Sequence, residues 1–280
     1  MPNQLKIGQI VTPTVANGGI TPGCIACFPC RQATTDTVLA NIAQPLVTGE
    51  AGVAFVPGTA FASPQGLLTA DAASTDTTMR LSLANFTYSY NNSDTLLIAT
   101  RLKITSALPG ATKPIWAQGG NNSSAQGLGL RCKTTGALFV QLDGASQFFS
   151  ADSDAGGPAG NGLLTAAVWH HVVVALWGMN AAAGTGNVGI WINGEKGFIT
   201  NEKALTSWPA TITPAEGFRI GQYYRTSGPT TLSIGATQSD FHIYRAPQSV
   251  IYTGAQMREI ANRLYRNPSR PLSTSEWRMA

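Results

Sequence analysis

The chain has 280 residues and a formal net charge of +4; 43 % of its residues are hydrophobic and only 11 % are charged. Ordinary soluble domains carry roughly 25 % charged residues, so Gly, Thr, Ala, Ser and Asn are expected to make a neutral, hydroxyl-rich surface. No run of about 18 apolar residues offers a membrane-spanning helix, and no Lys/Arg stripe interleaved with aromatics points to nucleic acid.

Residues 1–48 carry frequent Pro and Gly and few large apolar side chains. They read as an extended N-terminal arm, because such a segment cannot offset its own ordering entropy. The first residues lack the charged and apolar regions of a secretory signal. Folding in a cytoplasm, with the cysteines initially reduced, is the expectation.

Strand signals begin with Gly52 to Val56, closed by Pro57-Gly58. Met79 to Tyr90 and Thr95 to Ile104 follow. In the second, Leu97, Ala99, Arg101 and Lys103 fall on one face, and Leu96, Ile98 and Leu102 on the other. Ile115 to Gln118 precedes a polar loop, Gly119 to Gln126. Leu128 to Lys133 and Leu138 to Leu142 make a hairpin. Val168 to Trp177 is rich in β-branched and aromatic residues. Val188 to Ile192 then meets Asn193-Gly194, a favoured two-residue turn. Phe218 to Gln222 and Leu232 to Tyr244 complete the set. Strands at this spacing predict an all-β sandwich. One helix is predicted, Gly254 to Asn267. Thr253 and Gln256 give a capping-box pattern, Met257, Ile260, Ala261 and Leu264 form one apolar stripe, and Asn267-Pro268 stops it.

The W-H-H-V-V-V run, the loop after it and I-W-I-N-G-E-K (residues 169–196) resemble the laminin G-like members of the concanavalin A-like jelly-roll superfamily. Asp240-Phe241-His242-Ile243-Tyr244-Arg245 and the helix resemble that family's closing strand and helix. Leu264-Tyr265-Arg266-Asn267-Pro268 resembles an ending frequent in its bacteriophage and prophage members. The resemblance spans roughly residues 78 to 268. It implies a jelly-roll sandwich over residues 49–268, a C-terminal tail over 269–280, and a core built on Trp169, Trp191 and Tyr244.

The residues that carry chemistry are few. Glucanases of this fold need an E-x-D-x-x-E strand, since retaining hydrolysis requires two carboxylates about 5 to 5.5 Å apart. The chain has no E-x-D, and its only acidic i, i+2 pair is Asp152 and Asp154, in a Gly-rich loop. An enzyme is therefore not expected. Calcium takes six to eight oxygens. Asp143, Asp152, Asp154, Asn121 and Asn122 are the calcium or glycan candidates, and Trp208, Tyr223 and Tyr224 are aromatics available for stacking on sugars. His170 and His171 are adjacent on a strand and face opposite ways, which disfavours a shared metal. Cys24, Cys27 and Cys30 form C-x2-C-x2-C, with Cys132 alone. Zinc or an iron–sulfur cluster on these four, disulfides formed after release, and inert thiols all remain open readings.

The expected function is a non-enzymatic bacteriophage virion protein, a capsid decoration or minor capsid component assembled in the bacterial host cytoplasm. The fold serves surface recognition, no secretion signal is present, and the neutral composition with a Pro/Gly-rich arm suits docking on a large assembly. Expected partners are copies of itself, with a trimer first, the major capsid protein, and a host glycan. The alternative is a tail-associated glycan-binding module for host attachment.

Overall fold

The computed structural model describes residues 23–28, 38–39, 53–54, 61–62, 66–69, 95–122, 125–143, 148–152, 163–180, 185–194, 199–202, 218–220, 234–246 and 250–278. The strands are β1 (Gly23–Phe28), β2 (Val38–Leu39), β3 (Val53–Ala54), β4 (Phe61–Ala62), β5 (Gly66–Thr69), β6 (Thr95–Ile104), β7 (Lys113–Asn122), β8 (Ala125–Cys132), β9 (Leu138–Asp143), β10 (Phe148–Asp152), β11 (His170–Asn180), β12 (Thr185–Ile192), β13 (Ile199–Glu202), β14 (Phe218–Ile220) and β15 (Ala236–Ala246). Two helices follow, α1 (Gly254–Arg266) and α2 (Thr274–Arg278).

The strands form a β-sandwich of two antiparallel sheets. The larger runs β13-β12-β11-β6-β15-β5-β4, with β1 also paired to β15. The smaller runs β10-β9-β8-β7-β14, and β2 pairs with β3 apart from both. One edge of β15 lies along β6. Its other edge takes β5 at Ala236 to Gln238 and β1 from Phe241 to Arg245.

Alternation sorts the side chains of the large sheet into two cores. Leu96, Ile98 and Leu102 of β6 share a face with Val172, Val174 and Leu176 of β11, turned toward the smaller sheet. A side-chain hydrogen bond ties the two sheets: Gln238 Nε2 donates to the Ile115 carbonyl at 2.9 Å. The opposite face carries Leu97, Ala99, Val173, Ala175, Trp177, Trp191 and Tyr244. These pack with Met257, Ile260, Ala261 and Leu264 of α1 and with Leu272 and Trp277. Helices thus cover the outer face. That is why Val172 to Trp177 is a continuous apolar run: every residue in it is buried.

Helix α1 forms as its sequence predicts. The Thr253 side chain accepts from the Gln256 N–H, and the Thr253 N–H donates to Gln256 Oε1 at 2.8 Å. These bonds satisfy two groups that the helix ladder leaves over. Arg263 Nε donates to Glu259 one turn back at 3.0 Å.

Several sequence expectations change. Lys113–Asn122 is one strand, so most of the Gly119 to Gln126 loop belongs to a hairpin in which Asn122 pairs with Ala125. Asn193-Gly194 does not close a two-residue hairpin: Ile190 pairs with Ile199, which leaves a longer connection. Within the stretch read as an arm, Gly23–Phe28 is a strand of the large sheet, with Cys24 and Cys27 buried in the helical core. Within the stretch read as a tail, Trp277 is fully buried, and its ring lies 5.2 Å from that of Tyr244. Apart from Val38–Leu39, the rest of residues 1–48 lies outside the described residues, as do Met79 to Tyr90, Trp208, Tyr223 and Tyr224.

Trp191 and Tyr244 are core residues; Trp169 is not. It precedes β11 and is half-buried. Its ring meets Arg101 and Lys103, which share the outer face of β6 at that end, with their charges 5.1 and 5.4 Å from the ring centre.

Two mutations test the outer core. A Cβ placed on Gly189 would stand 2.3 Å from the Trp191 ring, so Gly189→Ala should cost about 1 to 3 kcal/mol in chemical denaturation; an unchanged midpoint would mean the indole lies elsewhere. Ile260→Asp places a charge where no water reaches. It should give insoluble protein, and normal soluble expression would contradict the α1 packing.

Candidate functional site

At the end of the large sheet where α1 finishes, the outer face is no longer covered. A cleft of about 310 Å³ opens there, lined by Arg101 from β6, Trp169 just before β11, His170 and His171 at its start, Asn193, Tyr265 from the last turn of α1 and Pro268 beyond it. Tyr265 is 46 % exposed, so its ring is presented rather than packed away.

The Asn193-Gly194 bend shapes the cleft. Asn193 has φ 54°, and Gly194 has φ 76°. The Asn193 side-chain oxygen accepts from the His171 N–H at 2.9 Å, and its own N–H donates to the His171 carbonyl at 2.8 Å. Gly194 tucks under α1, where a Cβ would meet Asn262 Oδ1 at 2.7 Å. Glycine is needed there both for the left-handed backbone and for the close approach.

The two histidines face opposite sides, as their adjacency requires. His170 Nε2 accepts from the Thr165 N–H at 3.0 Å, and its Nδ1 stands 3.2 Å from the Asn193 amide nitrogen. Burial lowers its pKa. His171 turns outward beneath Tyr265, with ring centres 6.0 Å apart. Burial, then the nearby His242 and Arg101, push His171 down to about 3. It is a neutral wall of the cleft at ordinary pH.

Arg101 is held from behind. Asp240 is fully buried, and its carboxylate lies 3.7 Å from Arg101 Nη1. The Ser239 hydroxyl donates to the same carboxylate oxygen at 3.2 Å. Asp240 reaches this position through a bulge in β15 between Ser239 and His242, where its φ is 50°. The guanidinium is therefore fixed on the sheet while keeping 33 % of its side-chain surface exposed.

The calcium, glycan and cysteine candidates from sequence lie elsewhere. Asn121 and Asn122 end β7 and Asp143 ends β9, at the same end of the small sheet; Asp152 pairs with Phe139, at the other end. Asp154 lies outside the described residues. Cys24 and Cys27 lie on β1 in the outer core, and Cys132 ends β8 in the small sheet. Burial pushes the Cys132 thiol up to about 12, and it donates to the Lys133 carbonyl at 3.3 Å. Cys30 lies outside the described residues, and among those described no three His, Cys, Asp or Glu side chains are grouped to hold a metal. The cleft itself escaped sequence reading, because its pieces come from four separated segments. Its one local signal was the alternation of Arg101 and Lys103 with apolar residues on β6.

No protein-family model matches the sequence, and no curated protein matches it. Solved structures of similar fold do exist. One is the carbohydrate-binding module CBM40 of the Ruminococcus gnavus IT-sialidase, bound to α2,3-sialyllactose: 13 % identity, 61 % of this chain and 84 % of that one covered, TM-score 0.43. Another is the Trypanosoma rangeli sialidase with 2,3-difluorosialic acid: 17 % identity, 91 % of this chain covered, TM-score 0.50. This chain spans only 32 % of that sialidase. A third is a leech intramolecular trans-sialidase: 15 % identity, 62 % of this chain and 24 % of that one covered, TM-score 0.43. At these identities the likeness concerns the fold. Those three are a module bound to sialyllactose, a sialidase and a trans-sialidase. The expectation of a capsid decoration or minor capsid role is therefore corrected, and the virion setting is dropped with it.

Proposed function

We propose that this sandwich is a non-catalytic glycan-binding module, and that the Arg101–Trp169–Tyr265 cleft receives the sugar. The observation that carries this reading is the make-up of the cleft. It joins two aromatic rings, a fixed but accessible guanidinium and an asparagine amide in one concavity. Sugar rings offer apolar C–H faces and equatorial hydroxyls. Aromatic walls suit the faces, and fixed donors and acceptors suit the hydroxyls.

Binding is favoured over hydrolysis by what lines the cleft. Glycosidic cleavage by the usual route needs two carboxyl groups flanking the bond, and the described lining contains no Asp or Glu. The nearest carboxylate, Asp240, is buried and engaged with Arg101. The charge of the site suggests an acidic sugar: Arg101 and Lys103 both stand over Trp169. Sialylated glycans are the first to test, because the CBM40 of similar fold is seen with sialyllactose.

Calorimetric titration with sialyllactose and with lactose is the measurement. Sialyllactose should bind and lactose should bind more weakly. Binding should also fall as salt is raised from about 0.05 to about 0.5 M, since exposed charges attract an anion less when screened. Trp169→Ala should weaken binding about tenfold, equal to about 1.4 kcal/mol, without moving the melting temperature much. Equal affinity in that variant, or no binding across a glycan array, would remove this reading.

A further inference from the structure

We propose that Cys24 and Cys27 form a dithiol–disulfide redox site that closes by exchange with small-molecule disulfides. The inference is independent of the glycan cleft and rests on the pairing of β1 with β15. In a regular strand, residues three apart point to opposite faces. Here the register shifts: Cys24 is opposite Tyr244, Ala26 opposite Ile243, and Cys27 opposite His242. The three-residue step on β1 therefore spans a two-residue step on β15. Tyr244 and His242, two apart, share a face, and the bulge brings both thiols to that face. Both are buried, and both belong to the outer side of the large sheet.

The distance suits a bridge. A two-residue step along a strand is about 6.6 Å at about 3.3 Å per residue. Bridged cysteines have Cα atoms about 4.4 to 6.8 Å apart. The two thiols are already within hydrogen-bonding reach of each other, so closure calls for a tightening of the bulge and no movement of the sheet.

The surroundings favour exchange. The thiol of Cys27 has Cys24 and His242 as hydrogen-bonding partners. His242 Nδ1 lies 3.2 Å from the Tyr244 hydroxyl, which accepts the Leu272 N–H at 2.8 Å. The Cys24 hydrogen bond, and after it the His242 imidazole, outweigh burial and the Asp240 carboxylate, holding Cys27 at about 6. Cys132, which has burial alone as its perturbation, stays near 12 and serves as an inert thiol in the same molecule.

The exchange balances without a further reactant. The Cys27 thiolate attacks one sulfur of RS–SR; that S–S bond breaks, and RS⁻ leaves and takes a proton from water. Cys24 loses its proton as its sulfur attacks the Cys27 sulfur of the mixed disulfide. The second RS⁻ leaves and takes up that proton. Two thiols are oxidised to one disulfide, and RS–SR is reduced to two RSH. The reagent reaches the pair when α2 lifts, since α2 packs against β1 and brings Trp277 over the pair's neighbour Tyr244. At its surface, α2 is pinned by Glu276, which pairs with Arg270 and accepts from the Ser273 N–H and hydroxyl.

The full-length chain is equilibrated with excess glutathione disulfide, unfolded, alkylated and mapped by peptide mass. A Cys24–Cys27 cross-link is expected, with Cys132 fully alkylated. Cys24→Ala should stop at a glutathione adduct on Cys27, and Glu276→Gln should speed closure several-fold by loosening α2. Retention of both thiols in the unmutated chain would overturn the proposal, as would a bridge from either cysteine to Cys30. Protection of the pair by one equivalent of added zinc would overturn it too. The map of the unmutated chain decides the matter even if a variant fails to fold.

Discussion

The outer face of the large sheet has to be covered, and most of the structure's special features follow from how that is done. A sheet at the edge of a sandwich ordinarily leaves its outer face to water, with polar residues alternating along each strand. Here β6, β11 and β15 are buried on both faces along most of their length. α1, with Leu272 and Trp277 beyond it, supplies the missing layer. Each large side chain in that layer contributes about 1.5 to 3 kcal/mol by leaving water. The cover is thus part of the core and not an appendage.

A cover of two short helices is narrower than the sheet beneath it. Where α1 ends, polar residues on the outer face are only partly roofed, and their chemistry changes. Arg101 keeps one side in solvent because its partner Asp240 supplies the counter-charge from below. His171, one step further under the helix, is deprotonated by burial. His242, deeper still, meets Tyr244 and Cys27 in place of water. The same edge that leaves the cleft open grades the outer-face residues from hydrated to dry over a few ångströms.

Local patterns carried the parts of this architecture that depend on local physics. Thr95 to Ile104 and the α1 stripe with its capping box could be read because alternation and helical period are written residue by residue. The incorporation of β1 could not. Its six residues, GCIACF, make a short segment between Pro22 and Pro29, and their stability comes from an edge of β15 far along the chain. Trp277 had a signal that went unused: Ser273 and Glu276 stand three apart immediately before it, a second capping-box pattern that marks a helix start. The cleft was illegible because no single segment contains it. Trp169 was misplaced for a related reason: the strand pattern that buries Val173 and Trp177 runs on past the end of the helix that buries them.

The position of β15 also governs when the chain can fold. This strand holds β6 on one edge and β1 and β5 on the other, and Thr100 donates across to the Ser239 carbonyl over 139 residues of sequence. Until the ribosome has delivered β15, β6 has one partnerless edge and β1 has no place in the sheet. Loop-closure entropy must be met before any of these pairings returns free energy, so assembly is late and slow compared with that of a helical protein of like size. The apolar strands made first are then exposed for most of synthesis, each an open template for pairing with another chain.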